Sequence, residues 1–319
     1  MQDILTCAMG LDIHRDVIVA CLAKGELGTD PEIEIRSFST LIPEMRKLRD
    51  WVLEAECRYV AMESTGIYWQ PIYEMLEPCF DGQISILVVN ARHMKNVPGR
   101  KTDMRNAQWI ATLLRAGLLK GSFIPDKTFR ELRHLTRYRK SIVRDITAQK
   151  NRIDKFLQSS GFRFTAFLSD AFGASGRNII RHLMEYGNIS REALDRCLKT
   201  QTRKRIDEIL IALNGSLSEH QRGFLRMIFE HLEALEQHRH TVEDAITEEI
   251  TKHEEALSLL CSIPGIDVTA AATIIAEIGN DMSAFPDSQH ICSWAGLSPG
   301  NNESAGKRKS AHINKGNPY

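Results

Sequence analysis

Four polar positions in the first third of the chain, Asp12, Glu63, Asp103 and Asn106, have the side-chain types needed to hold a divalent cation beside a phosphodiester. Three are carboxylates, and hard cations such as Mg²⁺ or Mn²⁺ prefer carboxylate oxygens and retain several waters. Two such ions can clamp the attacking and leaving oxygens of a phosphodiester, a task that suits carboxylates drawn from separate elements. Each residue alone has an ordinary alternative: Asp103 favours a helix dipole, Glu63 ends a strand and Asp12 serves a turn. A second chemical stretch, Asn301-Asn-Glu-Ser-Ala-Gly-Lys-Arg-Lys-Ser310, combines the Ser304 hydroxyl with small residues for close approach. It also carries three cations suited to backbone phosphate, Lys307, Arg308 and Lys309. By itself Ser304 is an ordinary loop serine, and Ser310 is the other hydroxyl within reach.

The elements that must position these residues are legible as apolar runs and breaks. Cys7 to Leu22 is two apolar runs around a polar turn, which predicts a β-hairpin with Asp12 near the end of its first strand. Asp16, four residues further through the turn, is expected to point elsewhere. Glu63 follows the strand-like Tyr59-Val-Ala-Met62 and precedes Ser64-Thr65-Gly66, after which Ile67, Tyr68, Ile72, Met75 and Leu76 recur at helical spacing. A third strand, Ile84 to Val89, leads into a basic loop from Arg92 to Lys101. Thr102 then reads as an N-cap, with Asp103 in the first turn of a helix over 104–116 and Asn106 three residues along on the same face.

The chain has 319 residues, enough for two or three domains, and its 43% hydrophobic content supports real cores. Its 41 basic and 41 acidic residues cancel, but the balance hides an asymmetry. Residues 92–155 hold 17 Lys or Arg against 5 Asp or Glu, the electrostatic footprint of a polyanion-binding stripe or of a solvated helical face. Beyond Ser141 the pattern is mostly helical. Ile142, Ile146, Ile153 and Leu157 recur along one side, and Gly161, Gly173 and Gly176 mark a break. Between Leu217 and His253 a heptad-like register, interrupted by Arg239, fits an antiparallel coiled coil or simple bundle packing. Histidines 220, 231, 238, 240 and 253 lie there in charged helical surroundings and read as exposed surface. Leu260 to Gly279 reads as a helix, a Pro-Gly-Ile turn and a second helix of small residues. Such a segment is either a helix-hairpin-helix offering backbone N–H groups to phosphate or a plain packed hairpin. The seven cysteines show no paired spacing, which points away from zinc sites and disulfide frameworks. No apolar run approaches bilayer length and no secretory leader is evident, so a cytoplasmic location is expected.

Met62-Glu-Ser-Thr-Gly-Ile-Tyr-Trp69, Pro98-Gly-Arg-Lys-Thr-Asp-Met-Arg-Asn-Ala-Gln-Trp-Ile110 and Leu118-Leu-Lys-Gly-Ser-Phe-Ile-Pro125 resemble the DEDD transposases of bacterial insertion sequences. That family includes the pilin-inversion recombinase and enzymes guided by a bridge RNA. The resemblance continues through Arg130 to Lys140 and returns at Trp294-Ala-Gly-Leu-Ser-Pro-Gly-Asn-Asn-Glu-Ser-Ala-Gly-Lys307, so it spans nearly the whole chain. It implies an α/β plus α protein with a RuvC or ribonuclease-H-like catalytic domain over 1–140. A helical coiled-coil region over 141–256 and a small helical transposase domain over 257–319 would follow. The family's four acidic positions match Asp12, Glu63, Asp103 and Asn106, which would be both catalytic and metal-binding with Mg²⁺ or Mn²⁺. Its serine nucleophile, which forms a covalent phosphoserine link to DNA, matches Ser304.

Two departures stand out against that family. Position 106 is asparagine, which offers a neutral oxygen but neither the charge nor the basicity of a carboxylate. The resembled family also continues past Lys315-Gly-Asn-Pro-Tyr319, so the transposase domain is expected to be C-terminally incomplete. The resemblance implies an insertion-sequence transposase or site-specific recombinase that cuts and rejoins DNA, with a guide RNA and a homodimeric or homotetrameric assembly. The nucleic acid would be held by Arg92, Lys95, Arg100, Lys101, Arg105, Arg133, Arg137, Arg139 and Lys140, and by Lys307, Arg308 and Lys309. The alternatives are a catalytically impaired nucleic-acid-binding remnant of such an enzyme, and a junction-resolving nuclease that needs no serine.

Overall fold

The computed structural model describes residues 3–64, 66–79, 85–90, 106–298, 302–304, 307–310 and 316–317. The chain divides into two units, Met1–Ile124 and Pro125–Tyr319.

In the first unit, β1 (Cys7–Ile13), β2 (Val17–Lys24) and β3 (Glu32–Ser39) form an antiparallel meander. Then come α1 (Ile42–Glu54), β4 (Tyr59–Glu63), α2 (Gln70–Leu76), β5 (Ser85–Val89) and α3 (Asn106–Arg115). The strand order is β3-β2-β1-β4-β5, with β4 parallel to both β1 and β5. Three antiparallel strands extended by two parallel ones is the ribonuclease-H-like arrangement that the family resemblance implies. Parallel pairing needs crossover connections, and here α1 lies in the chain between β3 and β4 and α2 between β4 and β5.

The two sheet faces differ in side-chain size, which decides what packs on each. Met9, Leu11, Ile13, Ile18, Leu22, Val60 and Met62 bury one face against Met45, Leu48, Trp51 and Val52 of α1 and Ile72 and Leu76 of α2. The other face carries Ala8, Cys21, Ala23 and Ala61, small side chains that admit α3 closely through Ala107, Ile110, Ala111 and Leu114. Gly10 lies at the closest approach, where a Cβ would collide with the backbone at Ala107 O and Ala111 N. The far end of α3 is tied down by Arg115, which is 1% exposed. Its guanidinium donates to Leu5 O at 2.9 Å and Glu26 O at 2.8 Å, and its own carbonyl accepts from Ile4 N and Leu5 N.

The second unit is helical, with a small strand pair near its end. It comprises α4 (Lys127–Ser159), α5 (Ala174–Tyr186), α6 (Arg191–Cys197), α7 (Thr200–Arg203), α8 (Ile206–Ala212), α9 (Glu219–Ile250), α10 (Glu254–Cys261), α11 (Val268–Ile278), α12 (Ser288–Trp294), β6 (Asn302–Ser304) and β7 (Lys307–Ser310). Helices α4 and α9 run antiparallel: Tyr138 meets His238 and Arg139 meets Glu243 at one end, while Gln149 donates to Ile228 O and Phe156 packs on Phe224 towards the other. The apolar positions Ile142, Ile146, Ile153 and Leu157 are buried with Leu225, Ile228, Leu232, Val242 and Ile246. Ser218 and Gln221 form a reciprocal capping box that starts α9.

Several expectations are corrected here. Helix α4 starts at Lys127, well before Ser141, and Phe129 and Leu132 extend its buried side. Gly176 lies inside α5, so the break runs only from Ser160 to Gly173. His253 is half-buried against the Phe129 ring and so is not a plain surface residue, whereas His238 is exposed as expected and bonds there to Tyr138. All seven cysteines are free. Among the described residues no helix is long and apolar enough to cross a membrane.

The contact at Gly10 makes a direct prediction. Gly10→Val is expected to lower the stability of the first unit by roughly 2–3 kcal/mol, because the obstacle is backbone that cannot rotate away. Urea unfolding followed by circular dichroism reads this, and an unchanged midpoint would contradict the close seating of α3.

Candidate active site

Strands β1 and β4 are registered Met9 to Val60, Gly10 to Ala61 and Leu11 to Met62. The next residue on each is a carboxylate, Asp12 and Glu63, at the carboxyl ends of neighbouring strands that lie roughly 4.8 Å apart. Side chains alternate along a strand, so Asp12 shares a face with Ala8 and Gly10, and Glu63 shares one with Ala61. That is the face α3 covers. Because Ala107 in its first turn sits on Gly10, α3 starts at the same end of the sheet, with Asn106 exposed at its first position. Asp12, Glu63 and the start of α3 at Asn106 therefore lie towards one end of the same sheet face.

Asp12 is only 8% exposed, and its Oδ2 lies 3.3 Å from His14 Nε2. His14 was not singled out from the sequence. The signal was its spacing of two from Asp12, which places both on one side of an extended segment. Asp16 is in the exposed turn, its side chain 88% accessible and beside Arg15, so it does not replace position 106. Asp103, the predicted cap Thr102, and Arg92, Lys95, Arg100, Lys101 and Arg105 lie outside the described residues. Among the described residues no group of three or more His, Cys, Asp or Glu side chains is arranged to hold a metal ion. The all-oxygen donor set of Asp12, Glu63 and the Asn106 amide has the chemistry that suits Mg²⁺ or Mn²⁺.

Ser304 is the last residue of β6, paired with Lys307 across the end of an antiparallel strand pair that also sets Glu303 against Arg308 and Asn302 against Ser310. The basic residues thus run along the strand facing the serine's own.

Residues 9–161 match the family model of DEDD IS110-type transposases, described as a transposase. Residues 257–319 match the model described as the transposase IS116/IS110/IS902 family, and the two together span about two thirds of the chain. The chain belongs to the IS110 family of transposases. No curated protein matches this IS110-family chain. Among solved structures 17 chains match. One is the Thermus thermophilus RuvC structure, 12% identical, with the match covering 36% of this chain and 99% of that one at a TM-score of 0.26. The fold assignment rests on strand order and pairing and on the family match. Membership makes this IS110-family protein a DNA transposase or recombinase.

The basic stripe of this transposase is partly turned inward. Arg137 grips Glu277 with two bonds, Nε to Oε1 at 2.7 Å and Nη2 to Oε2 at 2.8 Å. Arg133 donates to Ala276 O at 2.9 Å and to Glu277 O at 2.5 Å, so it caps the last carbonyls of α11. Arg139 meets Glu243 at 2.7 Å, and Lys140 follows on the same helix. Burial pushes the Glu277 carboxyl up, but hydrogen bonds from Arg137 and Asn317 and the charges of Arg133 and Arg137 outweigh it and hold the group below its ordinary 4.5. Burial pulls Arg133 down to about 10.

A carboxyl held down in the folded state contributes stability that is present above its unfolded value and lost as pH falls through the folded one. The second unit is therefore expected to lose stability below about pH 4.5 as Glu277 protonates. Arg137→Ala is expected to cost roughly 3 kcal/mol at neutral pH by leaving a buried charge short of partners, and to flatten that acid decline. Urea unfolding across a pH series checks both, and identical pH profiles for wild type and variant would contradict the pairing.

Proposed function

We propose that this IS110-family transposase cuts and rejoins the DNA ends of its element, using the acidic residues of the first unit and Ser304 of the second. The observation that supports the reading is the β1–β4 pairing through Leu11 and Met62, after which each strand carries a carboxylate, Asp12 and Glu63, on the face that α3 covers. Asp12, Glu63 and Asp103, with the Asn106 amide, would hold Mg²⁺ or Mn²⁺. When bound, such a cation lowers the pKa of an attacking hydroxyl and offsets charge on the phosphate oxygens. Ser304 Oγ attacks phosphorus, an Oγ–P bond forms as the P–O bond to the departing sugar oxygen breaks, and the serine proton passes to water while the leaving oxygen takes one up. Lys307, Arg308 and Lys309 hold backbone phosphates around this step, which fixes register without reading sequence. The family resemblance further supports a guide RNA, a homodimeric or homotetrameric assembly, and action in the cytoplasm. It also supports treating residues 1–140, 141–256 and 257–319 as catalytic, connecting and serine-bearing functional parts.

A second reading, a nucleic-acid-binding remnant with impaired chemistry, is favoured by one observation: the residue starting α3 is Asn106 and not a carboxylate.

Cleavage of labelled duplexes carrying the element's ends, with and without Mg²⁺, tests both. Asp12→Ala is expected to reduce metal-dependent cleavage at least roughly 100-fold. Ser304→Ala is expected to abolish the covalent protein–DNA adduct. Full activity in both variants would refute the assignment. Asn106→Asp is expected to raise cleavage, whereas unaltered binding with no cleavage would favour the remnant. An adduct trapped with wild type excludes a junction-resolving nuclease that attacks with water alone.

A further inference from the structure

Cys7 opens β1, and Cys57 stands two residues before β4, the parallel neighbour of β1. Met9 is registered with Val60, so both cysteines lie at the same end of this strand pair, opposite to the end that carries Asp12 and Glu63. They are 50 residues apart in the chain, and no local spacing pairs them. The fold does. Cys57 is fully buried in the apolar cluster of Met9, Leu11 and Val60, and Cys7 is half-buried against the same cluster. The Cys57 S–H has two acceptors within reach, Tyr59 O at 3.3 Å and the Cys7 sulfur. Lys24 is the cross-strand partner of Cys7 on β2, and its ammonium reaches Ala55 O at 3.5 Å in the turn that leads to Cys57. A positive charge therefore lies beside the two thiols.

The proposed transposase chemistry uses neither thiol. We propose that Cys7 and Cys57 form a reversible redox modification site, at which a low-molecular-weight disulfide oxidises the pair to an intramolecular disulfide joining the start of β1 to the approach to β4. Cys7, the more exposed of the two, attacks first. Its thiolate forms a bond to one sulfur of the small disulfide as that disulfide breaks and releases a thiolate. The released thiolate takes the Cys57 proton, and the Cys57 sulfur then attacks the Cys7 sulfur, closing the protein disulfide and expelling a second small thiolate. That second thiolate regains from water the proton that Cys7 had lost, so two protein thiols are oxidised while one small disulfide is reduced to two thiols. The surroundings suit these roles. The hydrogen bond from Cys57 outweighs burial at Cys7 and, with the charges of Lys24 and of Arg115 on α3, brings its thiol down from 9.0 to about 7. The same hydrogen bond and burial push the Cys57 thiol up, so it stays protonated until the mixed disulfide is beside it.

Oxidised glutathione is the probe, applied to the full-length protein. After free thiols are blocked with iodoacetamide, trypsin releases Cys7 within residues 1–15 and Cys57 within residues 50–58. Mass spectrometry without reductant is expected to find these two peptides joined, and dithiothreitol to separate them. Cys57→Ala is expected to stop at a mixed disulfide between Cys7 and glutathione. Cys7→Ala is expected to leave Cys57 unmodified, because the buried thiol is reached only through Cys7. A comparison in the wild type needs no substitution: at pH 7, Cys7 should react with iodoacetamide at least roughly tenfold faster than Cys197, which is also half-buried but whose thiol is pushed up by burial. Three results would each overturn the proposal: Cys7 left unmodified while the exposed Cys79 carries glutathione, a wild-type product that remains the Cys7 mixed disulfide, or alkylation of Cys7 no faster than that of Cys197.

Discussion

The seating of α3 on the small-residue face of the sheet is the constraint on which the candidate active site depends. Its backbone lies against Gly10 with no side chain between, and that contact is possible only because residue 10 lacks a Cβ and its neighbours on the face are Ala8, Cys21, Ala23 and Ala61. At the opposite end Arg115 is enclosed and bonded to the carbonyls of Leu5, Gly25 and Glu26. Two anchors fix both the height and the lengthwise position of the helix. Its first residue then lies towards the end of the face where β1 and β4 present Asp12 and Glu63. A larger side chain under α3 would lift the helix off this face before touching any of those polar residues.

The second unit places its charges by a different rule. A long helix rich in arginine would be expected to face solvent or a polyanion, but α4 directs Arg133 and Arg137 onto the end of α11 and Arg139 onto α9. Similar pairs, Arg177 with Glu236 and Arg181 with Glu233, join α5 to α9. Desolvating a guanidinium is offset here by bidentate geometry and by helix-end carbonyls that have no partner of their own. The cost of removing a partner is high at the buried Glu277 and small at the exposed Arg181–Glu233 pair, so it is chiefly Arg133 and Arg137 that define how α4 and α11 meet. The charge excess of residues 92–155 thus overstates what is offered to a nucleic acid.

Apolar runs bounded by turn residues placed β1, β2, β4 and β5 and the strand ends at Asp12 and Glu63, because such a run is a local pattern. Periodicity also found the buried sides of α4 and α9. The strict alternation of Glu32-Ile-Glu-Ile-Arg36 and the spacing of Met45, Leu48, Trp51 and Val52 carry a local signal for β3 and α1 as well. His253 was misjudged because its ring partner, Phe129, is far away in sequence.

The sequence by itself determined the family, through long ordered matches, and which residues could do chemistry, because residue type and strand or helix period are local properties. Tertiary structure alone decided that Asp12 and Glu63 lie on neighbouring strands under α3, since that depends on strand register and on the absence of a Cβ at Gly10. It also decided which arginines are committed inside the protein. Arg137 and Glu277 are 140 residues apart, and no local pattern encodes a partner at that distance; only the packing of α4 against α11 brings them within 2.7 Å.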